Sequence, residues 1–275
     1  GWRHGEPILR SLAYALLEHE GGNPAQRDAD QDRPWRDNIR RAARIRADWQ
    51  RGRIDRAATT DLLATLRTAT AAEGSEAIVA KLNAGIDPPS LWDAIFLTAG
   101  ELLMRQPGIV GLHTLTTMNA LGYAYQTSGN DETRRMMLLQ AAAFLPMFRR
   151  NMEGRGQLRG DLRIDTLEAA GNGSPTVDEV FADVSGDKLA AARKTLALLR
   201  VNQDNAQPLL AAARRLIFSK GNDSHDYKFS SAVLEDFYNV TPGWRDRFLA
   251  SSVFWLKGSA GPDTNVVQRI RAALA

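Results

Sequence analysis

Apolar residues along this chain recur mostly every three or four positions, in segments closed by glycine or proline, and runs that alternate apolar with polar are nearly absent. That spacing marks amphipathic helices rather than strands. At the front, Pro7 starts "ILRSLAYALLEH" and Gly21-Gly22 ends it. Asp87-Pro88-Pro89 leads into Ser90-Leu91-Trp92-Asp93, a capping arrangement with an acid at the third helical position. The helix it opens is expected to stop before Pro107-Gly108. A second is predicted from about Ile109 to Gln126, closed by Gly129. A third opens on the first-turn acids Asp131 and Glu132, and Pro146 is expected to kink or end it before Phe148.

Later segments follow the same punctuation. Ser174-Pro175 offers a helix start, Gly186-Asp187 precedes "KLAAARKTLALLR", and Asp204-Asn205 precedes "AQPLLAAARRLIFSK". Ser224 is expected to cap "HDYKFSSAVLEDFY", Pro242-Gly243 leads into "WRDRFLASSVFWLKG", and a short helix closes the series from about Thr264 to Leu274. No fixed-period repeat is present. The pattern predicts an all-α protein, one domain over 1–275 built from about ten helices. Residues 154 to 173, "GRGQLRGDLRIDTLEAAGNG", are the long glycine-rich interruption and are expected to form a surface excursion or a lid.

Composition narrows the chemistry. The chain has no cysteine, which excludes disulfides, thiolate catalysis, iron–sulfur clusters and Cys-based zinc sites. A formal charge of +3 is too small for a nucleic-acid face. The densest basic stretch, "RPWRDNIRRAARIRADWQRGRIDR", interleaves Asp37, Asp48 and Asp55 with its arginines and reads as a solvated, salt-bridged helix anchored by Trp35 and Trp49. No nucleic-acid partner is expected. No apolar run reaches the length of about 18 residues that a membrane span needs. No signal peptide is visible, and a chain that begins at Gly1 is compatible with prior removal of a leader. Compartment and oligomeric state stay open, with the cytoplasm as the default.

The polar residues that interrupt apolar segments are the candidate site. In "GLHTLTTMNALGYAY", His113, Thr116, Thr117, Ala120 and Tyr123 fall on one helical arc. Taken alone, that arc fits a core helix whose threonines bond carbonyls one turn back. In "SHDYKFSSAVLEDFY", His225, Lys228, Phe229, Ala232, Glu235 and Asp236 share a face. Polar and apolar residues lie all round this segment, so it is expected to be enclosed, with Lys228 paired inside. A Lys beside a His can bind an anion or polarise a carbonyl. His4, in the opening "GWRHGEP", can close one end of a pocket, whereas His19 in "LEHEGG" fits a solvated helix end.

HExxH, Glu-x-x-His, GxxxxGK[ST], GxSxG and a strand-supported GxGxxG are all absent. No nucleotide cofactor is therefore expected. His4, His113 and His225, with Glu101 or Asp236, can still gather a metal ion, and His113 or His225 can ligate haem.

The segments "GIVGLHTLTTMNALGYA" and "HDYKFSSAVLED" together resemble the questin oxidase-like family, with its mid-chain Gly-x-x-Gly-x-His helix and its late His-x-x-Lys helix. The resemblance covers about residues 85 to 145 and 220 to 260 and picks out His113, His225 and Lys228. It implies an oxidoreductase acting on an aromatic or polycyclic compound by a Baeyer–Villiger-type oxidation. On that reading His113 and His225 are general acid/base groups or metal ligands, and Lys228 holds an anionic or enolate oxygen. His4, Thr117, Tyr123 and Asp236 then contact a small-molecule substrate, with Glu235 or Asp236 orienting it. The residues themselves leave two alternatives open: a non-enzymatic helical ligand-binding or scaffold protein, and a His-ligated metal or haem protein.

Overall fold

The computed structural model describes residues 5–18, 28–171 and 173–275. Among the described residues the chain is helical throughout, with thirteen α-helices and no strand. It divides into two units, Gly1–Arg33 and Pro34–Ala275. The first holds α1 (Gly5–Leu17), where Glu6 pairs with Arg10 one turn on at 2.9 Å. The second opens within α2 (Arg33–Ala42) and continues through α3 (Arg56–Leu66), α4 (Ala71–Asn83), α5 (Pro88–Arg105), α6 (Ile109–Thr127) and α7 (Asp131–Glu153). Then follow α8 (Val177–Val184), α9 (Lys188–Val201), α10 (Ala206–Lys220), α11 (Ser224–Asn239), α12 (Pro242–Ser252) and α13 (Asn265–Leu274). No helix among the described residues is long and apolar enough to cross a membrane.

The all-α expectation holds, with thirteen helices where about ten were expected. The unforeseen pair is α3 and α4, rich in Ala and Thr and weak in apolar contrast. Their starts were nevertheless marked. Asp55 accepts from the Ala58 N–H at 2.9 Å, and Thr70 with Glu73 closes a reciprocal capping box. The Arg-dense stretch is helical only through Ala42, beyond which Arg44 and Arg51 lie in turns. Its charges are paired as expected, with Arg41 and Arg44 meeting on Glu76 at 2.9 and 2.5 Å. Trp49 is buried and donates to Asp131 at 2.8 Å, while Trp35 stays exposed and anchors nothing.

The core is organised around α5, which is apolar on every face and buried along nearly its whole length between α3, α6, α7 and α12. Asp87, not Ser90, caps it, accepting the Ser90 N–H at 3.1 Å across two prolines that have no N–H to satisfy. Likewise Asp223 rather than Ser224 caps α11. Close approach favours glycine at Gly100 and Gly111, among other places. A side chain at Gly100 would collide with Ser251 of α12, and a Cβ at Gly111 would sit 3.1 Å from the Cα of Leu103, where α6 leaves α5. Helix α7 runs on through Pro146 instead of ending there. One backbone bond is lost, but burial of Leu145, Pro146 and Met152, in a helix packed on α4 and α6, offsets it.

The glycine-rich segment 154–173 forms the expected long loop, mostly exposed, but three of its side chains are drawn into the body. Leu162, Ile164 and Leu167 are buried in the core. Glu101 on α5 accepts the Ile164 N–H at 3.0 Å and binds Arg67 in a two-pronged pair at 2.9 and 2.7 Å. Arg67 also reaches Asp165 at 2.5 Å, and Arg247 donates to the carbonyls of Ile164 and Leu167 at 2.6 and 3.0 Å. With both carboxylate oxygens committed, Glu101 is a structural clamp, which removes it from the metal-ligand candidates.

Candidate active site

Helices α6 and α11 pack against each other and bring the two motifs together. The rings of His113 and His225 meet edge to face, with centroids 5.3 Å apart and planes at 82°. His113 is half-buried; burial, then the nearby charge of Lys228, then His225 hold its pKa below the ordinary imidazole value. It therefore presents a neutral ring at neutral pH. His225 follows the N-cap of α11, and its Nδ1 lies 2.6 Å from Oδ1 of Asp223. The same oxygen accepts the backbone N–H of His225 at 2.7 Å. These bonds, the backbone one first, keep the Asp223 carboxyl below its usual range. An ionised carboxylate only accepts, so Nδ1 of His225 carries the proton directed at it, and Nε2 is not engaged by Asp223.

Lys228, one turn beyond His225, is exposed, and no ion pair or hydrogen bond holds it among the described residues. The enclosed α11 expected from sequence is thus not what forms. Tyr227, Lys228, Ser231, Glu235 and Tyr238 all face outward, while Phe229, Ala232, Val233 and Asp236 supply the buried stripe. The burial of Asp226 instead takes up the lysine at position 257, at 2.7 Å.

The other predicted positions do not join the pair. Thr114 and Thr116 bond back to Val110 and His113 carbonyls at 2.8 and 3.4 Å, as a plain core helix would have it. Thr117 is half-buried on the same helix. Tyr123 is 58% exposed and lies ten residues beyond His113, about 15 Å along the axis, so it stands on the surface away from the rings. Asp236 is about 16 Å along α11 from His225. It is buried, accepting from Asn119 and Asn239 at 2.9 and 3.1 Å, while its Oδ2 is enclosed without a partner. Burial pushes this carboxyl up to about 7, against the lowering effect of the two amides. Its contacts are internal to the α6–α11 seam rather than aimed at a substrate. Glu235 is exposed and shares the Asn119 amide at 3.3 Å. His4 and His19 lie outside the described residues.

No group of three His, Asp or Glu side chains gathers as metal ligands among the described residues. His113 and His225 touch edge to face, which leaves no space for a macrocycle between them, so this pair does not fit bis-histidine haem ligation. The residue at this pair that was missed at the sequence level is Asp223. Its signal was present in "DSH", where a capping acid two residues before a histidine can reach both the backbone and the ring.

The chain was compared with family models, curated proteins and solved structures. None matches.

Behind the pair, on the opposite side of α11, an open cleft of about 460 Å3 separates that helix from α10, and none of His113, His225 and Lys228 lines it. Both histidine rings are themselves partly exposed.

Proposed function

We propose that the α6–α11 seam is a general acid–base site of an oxidoreductase of the questin oxidase-like type, acting on a small hydroxylated aromatic or polycyclic compound. The observation that supports this reading is the edge-to-face contact of His113 and His225, with Asp223 behind one ring and the unpaired Lys228 beside the other. A neutral His113 accepts a proton from an acidic hydroxyl, and the ammonium of Lys228 stabilises the oxyanion that results. His225, fixed in one tautomer by Asp223, exchanges the second proton at Nε2, and Asp223 stabilises the imidazolium that forms. Imidazole, ammonium and carboxylate groups carry no oxidising equivalents, so these would come from a second reactant. The resemblance of "GIVGLHTLTTMNALGYA" and "HDYKFSSAVLED" to that family supports the aromatic substrate class.

The test is turnover of hydroxylated anthraquinones by the wild type and by His113→Ala and His225→Ala separately. Each substitution is expected to lower the rate by about 100-fold or more, the scale of a lost acid–base group. Unchanged turnover in both variants would remove the catalytic reading.

A further inference from the structure

The cleft between α10 and α11 lies outside the acid–base seam and has a chemistry of its own. The two helices form an antiparallel hairpin joined by residues 221–223. At its far end the Gln207 amide donates to the Tyr238 hydroxyl at 3.1 Å, and at its near end the Tyr227 hydroxyl donates to the Gly221 carbonyl at 2.7 Å. This register sets Phe218 level with Tyr227 and Arg214 level with Ser231. Both phenols are tethered, so their rings are fixed walls rather than loose surface groups. Phe218 is 70% exposed, a cost that no packing within the described residues offsets.

The polar groups in the cleft are few and opposite in character. Arg214 is exposed, and no ion pair or hydrogen bond holds it among the described residues. Glu235 lines the cleft on the other helix and is engaged only by Asn119, without a cation. Although both line one cleft, these two charges do not pair with each other. A volume of about 460 Å3 falls within the range that encloses small-molecule ligands.

From these features we infer that the α10–α11 cleft binds a planar aromatic carboxylate. The ring stacks between Phe218 and Tyr227, and the carboxylate takes the fork of Arg214 one turn along the hairpin. This site is separate from the His113–His225 seam and does not depend on the activity proposed for it.

The probe is 6-hydroxy-2-naphthoate, titrated into the full chain by fluorescence and calorimetry, with 2-naphthol as the analogue lacking the carboxylate. The naphthoate is expected to bind saturably and at least about tenfold more tightly than the naphthol, a difference one charge-assisted contact supplies. Arg214→Gln should erase that preference with the melting temperature unchanged, and Phe218→Ala should weaken both probes. His113→Ala should leave binding as it is. Equal affinity for the two probes in the wild type, no saturable binding, or an undiminished preference in Arg214→Gln would each overturn the assignment. So would loss of binding in His113→Ala, which puts the probe in the other seam. A dimer that Phe218→Ala dissociates, in a protein that takes up no probe, would overturn it too and give the cleft to a second copy.

Discussion

Asp223 holds His225 twice through one atom: Oδ1 accepts the backbone N–H at 2.7 Å and the ring Nδ1 at 2.6 Å. The cap of α11 and the orientation of a candidate catalytic ring are therefore one interaction. Asn caps a helix about as well as Asp, but its neutral oxygen is a weaker partner for the ring. Asp223→Asn should keep the wild-type melting temperature while lowering turnover by about tenfold or more, as loss of an orienting carboxylate does. Nitrogen shifts of the His225 ring give a second readout: Nδ1 protonated in the wild type, mixed tautomers in the variant. A variant that melts early and keeps its tautomer would show that Asp223 acts as a cap alone.

Lys228 lowers the pKa of His113 by charge, after burial and ahead of His225. Lys228→Met should therefore raise the His113 value toward that of an ordinary imidazole, moving the acid limb of any pH–rate profile to higher pH. Titration of the His113 ring by NMR in both proteins checks the direction, and an unmoved titration would mean that solvent screens the pair.

Asp236 makes stability depend on pH. Burial lifts its carboxyl from 3.8 to about 7, so between those values the folded chain holds a proton that the unfolded chain has released. Stability is then greatest below about pH 4, falls as pH rises toward 7, and is level above that. Asp236→Asn removes this dependence and should stabilise the protein at pH 8 by a few kcal/mol, in order of magnitude. Asp93, pushed up to about 6 by burial against two bonds from Thr241, adds a smaller fall of the same sign that survives in the variant. Urea midpoints from pH 4 to 8 separate the two contributions.

The clamp on segment 154–173 should be costly to break. Arg67→Met leaves Glu101 buried without its two-pronged partner, and loss of one member of a buried pair costs about 3–5 kcal/mol. Limited proteolysis should then cut first between Arg155 and Arg163. A wild-type cleavage pattern in a destabilised variant would show that the segment is held by Leu162, Ile164 and Leu167 alone.

Much of this was legible before the structure. Helix periodicity with glycine and proline boundaries located α5, α6 and α9 through α11 to within a few residues, and the starts of α7 and α12. His113 was singled out because it interrupts an otherwise apolar segment, and His225 because Lys228 lies one turn beyond it. What the pattern misjudged were properties set by neighbours in space. Pro146 was expected to disrupt α7, yet flanking helices outweigh one lost bond. Glycines made 154–173 read as an excursion, although its alternating Leu162 and Ile164 turn inward onto Glu101. The arc shared by His113 and Tyr123 extended a local wheel over a length of helix that no single ligand spans, and Lys228 was placed inside because the wheel does not reveal which polar residues a partner helix covers.

The segment with the composition of a linker thus supplies core residues, though most of it is exposed, and ties helices that precede it to helices that follow it. For anyone dissecting the gene this inverts the usual guidance. A crossover, truncation or split placed among the glycines of 154–173 would part Arg67 and Glu101 from Asp165 and Arg247, and neither fragment would carry a complete interior. A boundary for a fusion is better placed beyond Leu256, because Val253, Phe254 and Leu256 just after α12 still belong to that shared interior.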